Sequence, residues 1–315
     1  YVHFPRIDHP YFHHVEKNIE TFRKDGTDLF KDVFSKEEKD SWQDYINTQT
    51  IIKDLQSEEI NPSMYDKPGY TWSMVILKDT WVSIGRFNTI PFSDGEDALL
   101  RRFANAFGQT YTRFLDLQKA EAQAREAKIE TALEKVRSRS LAMHKSEEIQ
   151  EVINEVFVRL KELEINLDSA NIFIFENGTK DVVCWTGSTA SNSTSSLLRY
   201  ADIDFIMDLI KAKENQLGLF THQYSREQKN NFFNYVYEST ALKETPDDRK
   251  QFILGAACHT VSVAFSKNIA INLNSYSRKS FAENENNIAS RFAKVFHQSY
   301  THFLDMQIAE AQPRD

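Results

Sequence analysis

The sequence predicts an α+β protein made of two copies of one unit, each with a central antiparallel sheet flanked by helices. A segment of 24 residues occurs twice, at 102–125 and 291–314, with 16 identical positions at an offset of 189 residues. Hairpins with alternating apolar residues precede both copies. Neither glycine nor proline occurs in residues 109–177, which is typical of a long helix. A repeat at this spacing indicates a duplicated domain.

The composition sets broad limits on class and location. A length of 315 residues favours two domains, and 41% hydrophobic residues suffice for two cores. The net charge of −8 argues against a general affinity for nucleic acid or acidic membrane surfaces. The longest apolar run, residues 252–258, is too short to span a bilayer. Cys184 and Cys258 are predicted to be free thiols, and the expected location is cytoplasmic.

The repeat also sets the expected domain boundaries. We expect a first domain at residues 1–118, a connector helix at 119–145 and a second domain at 146–312. The first copy contains nothing that corresponds to residues 144–193, and the chain does not begin with methionine. The first domain is therefore expected to be incomplete at its N-terminus.

One long helix is predicted from about Asp94 to about Met143, because its alanines favour helix and no glycine or proline interrupts its second half. A seven-residue apolar stripe follows this helix, formed by Leu115, Ala122, Ile129, Val136 and Met143. The companion heptad positions are only partly apolar. Two interpretations stay open: a solvated connector helix, or a weak parallel coiled coil that makes a homodimer through this stripe.

The other elements of the second copy follow from pattern and turn residues. An amphipathic helix is expected after Ser146, and an Asn177-Gly178 turn predicts a hairpin of residues 170–176 and 181–186. The remaining predictions are helices at 202–213, 226–239 and 247–254, a strand at 217–222, and a hairpin at 259–265 and 269–273 that matches 70–77 and 81–86 in the first copy.

The last hairpin is expected to have one apolar face and one polar face. The predicted apolar face contains Val261, Val263, Phe265, Ile271 and Leu273. The predicted ligand-binding residues are Thr260, Ser262, Asn272 and Asn274, together with Trp185 and His222. An ordinary solvated sheet face is the alternative interpretation of these residues.

The order of elements resembles that of GAF-type sensor domains. Residues 119–149, KAEAQAREAKIETALEKVRSRSLAMHKSEEI, are similar to connectors that recur between GAF-like repeats in bacterial sensor proteins. The resemblance implies a sheet with helices from both ends of the unit on one face and a small-molecule pocket on the other. It also implies an output domain outside this chain, such as a histidine kinase or a nucleotide cyclase.

For the other motifs, a structural role is favoured over a catalytic or ligand-binding role. Cys258-His259 resembles the pair that attaches bilin in light-sensing GAF domains, but it directly precedes a strand, which favours a buried cysteine. His9 and His13 lie four residues apart, and solvated histidines are favoured there over a metal site. His144 lacks the following acid that is typical of kinase phospho-acceptors. No glycine-rich phosphate loop, nucleophile elbow or metal-ligand cysteine spacing occurs.

These observations favour a sensory input module, in which a small ligand of unknown identity binds the second domain and shifts the connector helices. The alternative is a ligand-free scaffold for dimerisation and signal transmission, since no distinctive pocket motif accompanies the repeated helix. We do not expect an enzyme, and the sequence does not indicate which metal or cofactor, if any, the protein binds.

Overall fold

The computed structural model describes residues 9–49, 65–176, 178–187 and 195–311 of the chain. The fold is mixed α+β, with two antiparallel sheets and one long helix. Contacts within the chain separate two compact units, Tyr1–Ala122 and Gln123–Asp315. This division lies within the connector predicted at residues 119–145.

The first unit contains a three-stranded sheet in the order β1-β2-β3. Its elements are α1 (Pro10–Asp25), β1 (Leu29–Ser35), α2 (Lys36–Gln49), β2 (Gly69–Ile76) and β3 (Trp81–Arg86). On one face, Trp72 and Met74 of β2 pack with Val15 of α1. On the other face, Val75 packs with Leu100, which belongs to the next helix. Each face of this sheet therefore has its own small core.

Helix α3 (Asp94–Leu141) is continuous and ends within two residues of its predicted end. A reciprocal cap starts the helix, in which the Ser93 amide donates to Glu96 Oε2 at 2.7 Å and the Glu96 amide donates to Ser93 Oγ at 3.4 Å. Asp94 and Asp97 add negative charge to the first turn, where the helix dipole favours it. The prediction of one uninterrupted helix is confirmed.

The second unit contains a six-stranded antiparallel sheet in the order β6-β5-β4-β9-β8-β7. After α3 its elements are α4 (Ile149–Glu162), β4 (Ser169–Phe175), β5 (Val182–Gly187), β6 (Ser195–Leu198), α5 (Asp204–Glu214), β7 (Leu219–Ser225), α6 (Arg226–Ser239), α7 (Asp247–Gly255), β8 (Cys258–Ser266), β9 (Ile269–Ser275) and α8 (Glu283–Ala311). Of the predicted Asn177-Gly178 turn, Asn177 lies outside the described residues, and Gly178 has a φ of 84° that suits glycine.

Two helical layers cover opposite faces of the second sheet. The C-terminal part of α3, together with α4 and α8, forms one core with the sheet, in which Val136, Ile153 and Phe296 are buried. Helices α5, α6 and α7 form the other core, which includes Phe205 and Phe232. Helices from both ends of the unit therefore share one face, and the middle helices cover the other.

The register of the last hairpin differs from the sequence prediction. Ser266 pairs with Ile269 across a two-residue turn, so that Val263 pairs with Asn272 and Val261 pairs with Asn274. Directly paired residues share a face of the sheet. Ile271 therefore lies on the face opposite to Val263, and the prediction of one apolar face was wrong. The hairpin of the first unit has the same register, since its pair Ile76 and Trp81 corresponds to the pair Phe265 and Ala270.

The stripe predicted as a dimer seam is not one exposed surface. Ile129, Val136 and Met143 are 6%, 0% and 1% exposed, because they belong to the core that α3 forms with α4 and α8. Ala122 is exposed and Leu115 is partly exposed. A seam through all five residues is therefore not available in this fold, since the chain's own helices already cover three of them.

Candidate functional site

The second unit contains a cavity of about 90 Å³ on the sheet face that the middle helices cover. Aromatic side chains of α5 and α6 form its walls, including Phe205, Phe232 and Phe233. Polar side chains of β4, β8 and β9 form its floor. A cavity needs roughly 10–15 Å³ to hold one water molecule, so this one has space for several waters or for a small ring.

Three buried asparagines form the floor of this cavity. Asn171 of β4 and Asn272 of β9 are direct partners in the sheet, and Asn274 lies two residues further along β9. Asn272 Nδ2 donates to Asn274 Oδ1 at 2.8 Å and to Asn171 Oδ1 at 3.2 Å. Asn171 Nδ2 in turn donates to Thr186 Oγ1 at 2.7 Å. These bonds fix the amides in one arrangement, which matters because buried amides without partners are costly.

His259 of β8 joins this amide cluster and is 2% exposed. Its Nε2 lies 2.9 Å from Asn274 Oδ1, and its ring stacks on Tyr276 at a centroid distance of 5.4 Å. Burial lowers the pKa of His259 to about 4, with a smaller lowering by the charge of Lys229. The imidazole is therefore neutral at neutral pH.

Three polar atoms of cavity-lining residues have no hydrogen-bond partner within the described parts of the chain. They are His259 Nδ1, Asn272 Oδ1 and the hydroxyl of Tyr237. Burial raises the pKa of Tyr237 to about 12, so this phenol keeps its proton. Buried polar atoms are usually bonded to protein or to ordered water, so these three atoms make the cavity a candidate binding site.

Arg249 of α7 contributes a positive charge to the lining of the cavity. Its guanidinium lies 5.0 Å from the ring centroid of Phe252 and 5.8 Å from that of Tyr276, within cation–π range. Its Nη2 donates to the Asp168 carbonyl oxygen at 3.4 Å. No aspartate or glutamate occurs among the described residues that line the cavity. The side chains that line the cavity therefore carry a net positive charge.

The structure brings together two of the six predicted ligand-binding residues, Asn272 and Asn274. Thr260 and Ser262 point to the opposite face, where Ser262 Oγ donates to Asn286 Oδ1 at 2.6 Å and Thr260 Oγ1 donates to the Arg278 carbonyl oxygen. The two-residue turn causes this separation, because it pairs odd-numbered residues of β8 with even-numbered residues of β9.

Trp185 and His222 also lie away from the cavity. Trp185 packs on the core of the opposite sheet face. His222 is exposed on β7, with its ring 4.5 Å from the Tyr224 ring centroid. Sequence analysis missed Asn171 and His259 as members of the site. The available signal was the turn at Lys267-Asn268, which places His259 on the same face as Asn274.

The first unit has a cavity of about 400 Å³ at the equivalent position, between its sheet and α2. Trp42 lines it at the position of Phe232, at an offset of 190 residues, and Tyr70 and Phe87 line it at the positions of His259 and Tyr276, at an offset of 189 residues. The asparagines are absent there: Ser83 and Gly85 stand at the positions of Asn272 and Asn274. A Cβ on Gly85 would lie 1.8 Å from the Tyr70 hydroxyl. The Tyr70 ring therefore fills the space that a side chain on residue 85 would take.

The contacts of the remaining sequence motifs are those of structural residues. Cys258 does not line the cavity, and its Sγ donates to the Arg278 carbonyl oxygen at 3.7 Å. Cys184 does line it, and burial raises the pKa of this thiol to about 12. The His144 amide donates to Glu148 Oε2 at 2.7 Å. Within the described residues, no group of three or more histidine, cysteine, aspartate or glutamate side chains is placed to hold a metal ion.

The helices of the described part of the chain include none that is long and apolar enough to cross a membrane. No protein-family model matches the sequence, and no curated protein is significantly similar to it.

Proposed function

We propose that this protein is a GAF-like sensory input module, in which a small molecule binds the cavity of the second unit. The observation that carries the proposal is the cavity with a hydrogen-bonded polar floor and with buried polar atoms that have no partner among the described residues. Catalysis is not part of the proposal, since the Cys184 thiol of the cavity is held protonated.

Strand β9 offers a route from the cavity to the helices. Asn272 and Asn274 line the cavity, whereas Ile271 and Leu273 alternate with them and belong to the core formed with α3, α4 and α8. A displacement of β9 on binding therefore acts on both faces at once, because packed cores transmit strain. In this proposal α8 passes the signal to an output domain beyond the chain. Homodimerisation stays a prediction from the sequence, and no seam is assigned to it.

The test is a screen of small cell metabolites against the purified full chain, read first by thermal melting. Each molecule that raises the melting temperature is then titrated into isotope-labelled protein and followed by NMR. We expect saturable binding, with chemical-shift changes centred on residues that line the cavity and on β9. If no molecule binds, or if the changes lie elsewhere, the alternative of a ligand-free dimerisation and transmission scaffold replaces this proposal.

A further inference from the structure

The floor of the cavity has more hydrogen-bond acceptors than the described residues have donors for them. Both amide N–H groups of Asn272 and of Asn274, and one of Asn171, are directed at protein oxygens, namely Thr186 Oγ1, Asn171 Oδ1, Asn274 Oδ1 or the Ser169 carbonyl. Among the described residues, Asn272 Oδ1 is left without a donor. Because a carbonyl oxygen accepts but cannot donate, it needs a donor that the described residues do not supply.

His259 supplies a second acceptor of the same kind. Asn274 Oδ1 must accept from the His259 ring, since Asn274 Nδ2 is already directed at Asn171 Oδ1 and the Ser169 carbonyl. Nε2 therefore carries the proton of the neutral imidazole, and Nδ1 is a bare acceptor. His259 Nδ1 also has no partner within the described residues. Two buried acceptors of the cavity thus require donors.

The walls and the charge restrict what can supply these donors. Phe205, Phe232 and Phe233 line the cavity, and aromatic side chains favour contact with an aromatic guest. The two bare acceptors repel an anion at the floor of the cavity, whereas the groups that could donate to an anion, the Tyr237 hydroxyl of α6 and Arg249 of α7, belong to the helices that line it. The positive charge of Arg249, without a carboxylate among the described lining residues, disfavours a cation. A neutral guest remains.

We propose that this cavity binds a small, uncharged, planar aromatic molecule whose N–H or O–H groups donate to Asn272 Oδ1 and His259 Nδ1. This inference rests on the proposed function of the same site and adds the chemical class of its ligand. Ordered water is the competing occupant, because water molecules donate to the same two acceptors.

Matched probes separate these possibilities. Aniline and catechol carry donors, whereas toluene and o-xylene have the same shapes with methyl groups in place of the donors. We expect aniline and catechol to bind the full chain at least about tenfold more tightly than toluene and o-xylene, because one or two buried hydrogen bonds are lost with the methyl groups. NMR titration measures all four affinities on wild-type protein, so this comparison depends on no variant.

Two variants test whether Asn272 Oδ1 and His259 Nδ1 are the acceptors that bind the ligand. Asn272→Leu and His259→Phe each remove one acceptor at similar side-chain size, and we expect each to weaken catechol binding about tenfold. The matched control is Ser262→Ala, a buried polar residue on the opposite sheet face, which we expect to leave the affinity unchanged. Circular dichroism checks that each variant is folded.

The outcomes distinguish the two proposals. If donors and methyl isosteres bind equally well, the ligand class is wrong while the proposed binding function stands. If Asn272→Leu and His259→Phe fold and bind catechol as wild type does, the assigned acceptors are wrong. If none of the four probes binds and the metabolite screen also finds nothing, the cavity holds only water and both proposals fail.

Discussion

The two copies of the repeated exit segment have nearly the same sequence but different surroundings. Three phenylalanines of the first copy are about half exposed or more, and their counterparts in the second copy are buried. The exposed fractions are 65%, 49% and 50% for Phe103, Phe107 and Phe114, against 0%, 0% and 2% for Phe292, Phe296 and Phe303. The aromatic stacking within each helix is the same, with Phe107 on Tyr111 at 5.8 Å and Phe296 on Tyr300 at 5.7 Å.

The difference comes from partners distant in sequence. In the second unit α4 and the C-terminal part of α3 cover the same face as α8, and β4 pairs along β9, all of whose residues are buried. In the described residues of the first unit β3 pairs with β2 alone, and its residues alternate between exposed and partly buried. Local sequence therefore determines the helix and its apolar stripe, whereas the elements packed on it determine what the stripe contributes to stability.

The largest effect is expected when the central phenylalanine of each copy is truncated. Phe296→Ala should destabilise the second unit by about 3–5 kcal/mol, because it leaves a cavity in a closed core. Phe107→Ala, its matched control at the equivalent position, should change stability by less than about 0.5 kcal/mol. Urea denaturation followed by circular dichroism measures both. Equal losses would show that the first copy has a covered core as well.

The second contrast is the pH dependence that His259 brings to the second unit, where the first unit has Tyr70. Above pH 6.5 the histidine is neutral in both the folded and the unfolded state, so it adds no pH dependence. Between pH 6.5 and about 4 the unfolded chain takes up a proton and the folded protein does not. Stability should therefore fall with falling pH across this window, by about 3 kcal/mol from this residue.

His259→Phe should remove this part of the pH dependence, and His222→Gln, on the exposed side of β7, should retain it. Urea midpoints at a series of pH values between 4 and 7 measure the slope. If His259→Phe leaves the slope unchanged, the buried neutral imidazole is not its source.

The hairpins of the two units should also differ in hydrogen exchange. Amides of β2 and β3 should exchange at least about tenfold faster than those of β8 and β9, which corresponds to an opening free energy lower by about 1.4 kcal/mol. The reason is that, among the described residues, β3 has no second strand partner of the kind that β4 provides for β9. Mass spectrometry of quenched samples measures the rates. Equal protection in a verified monomer would contradict the comparison.

The smallest expected difference concerns a surface arginine of the repeat. Arg291 donates to Glu126 at 2.7 Å and also to Glu130, whereas Arg102, at the matching position of the first copy, is exposed. Arg291→Ala should cost about 0.2–1 kcal/mol and Arg102→Ala about zero, since exposed ion pairs contribute little. Thermal melting at low and high salt checks this, and the cost of Arg291→Ala should shrink at high salt.

Much of the fold could be predicted from the sequence because its signals are local. The long helix followed from residues 109–177 without glycine or proline, and the hairpins followed from alternation and turn residues. The burial of Ile129, Val136 and Met143 could not be predicted in the same way. A heptad stripe identifies an apolar helix face but does not distinguish a second chain from the chain's own helices.

Only part of the site could be predicted from the sequence. Asn272 and Asn274 were found because they alternate with apolar residues on one strand. The prediction for Thr260 and Ser262 was wrong, because a two-residue turn pairs even-numbered residues of β8 with odd-numbered residues of β9. Asn171 could not be placed, because its contact with Asn272 depends on the pairing of strands about 100 residues apart.

The most direct test of the central claim is a high-resolution crystal structure of the protein soaked with catechol. We expect a ring between the aromatic walls, with its hydroxyl oxygens about 2.5–3.0 Å from Asn272 Oδ1 and His259 Nδ1. A cavity that contains only water at saturating catechol, or catechol bound away from these two atoms, would contradict it.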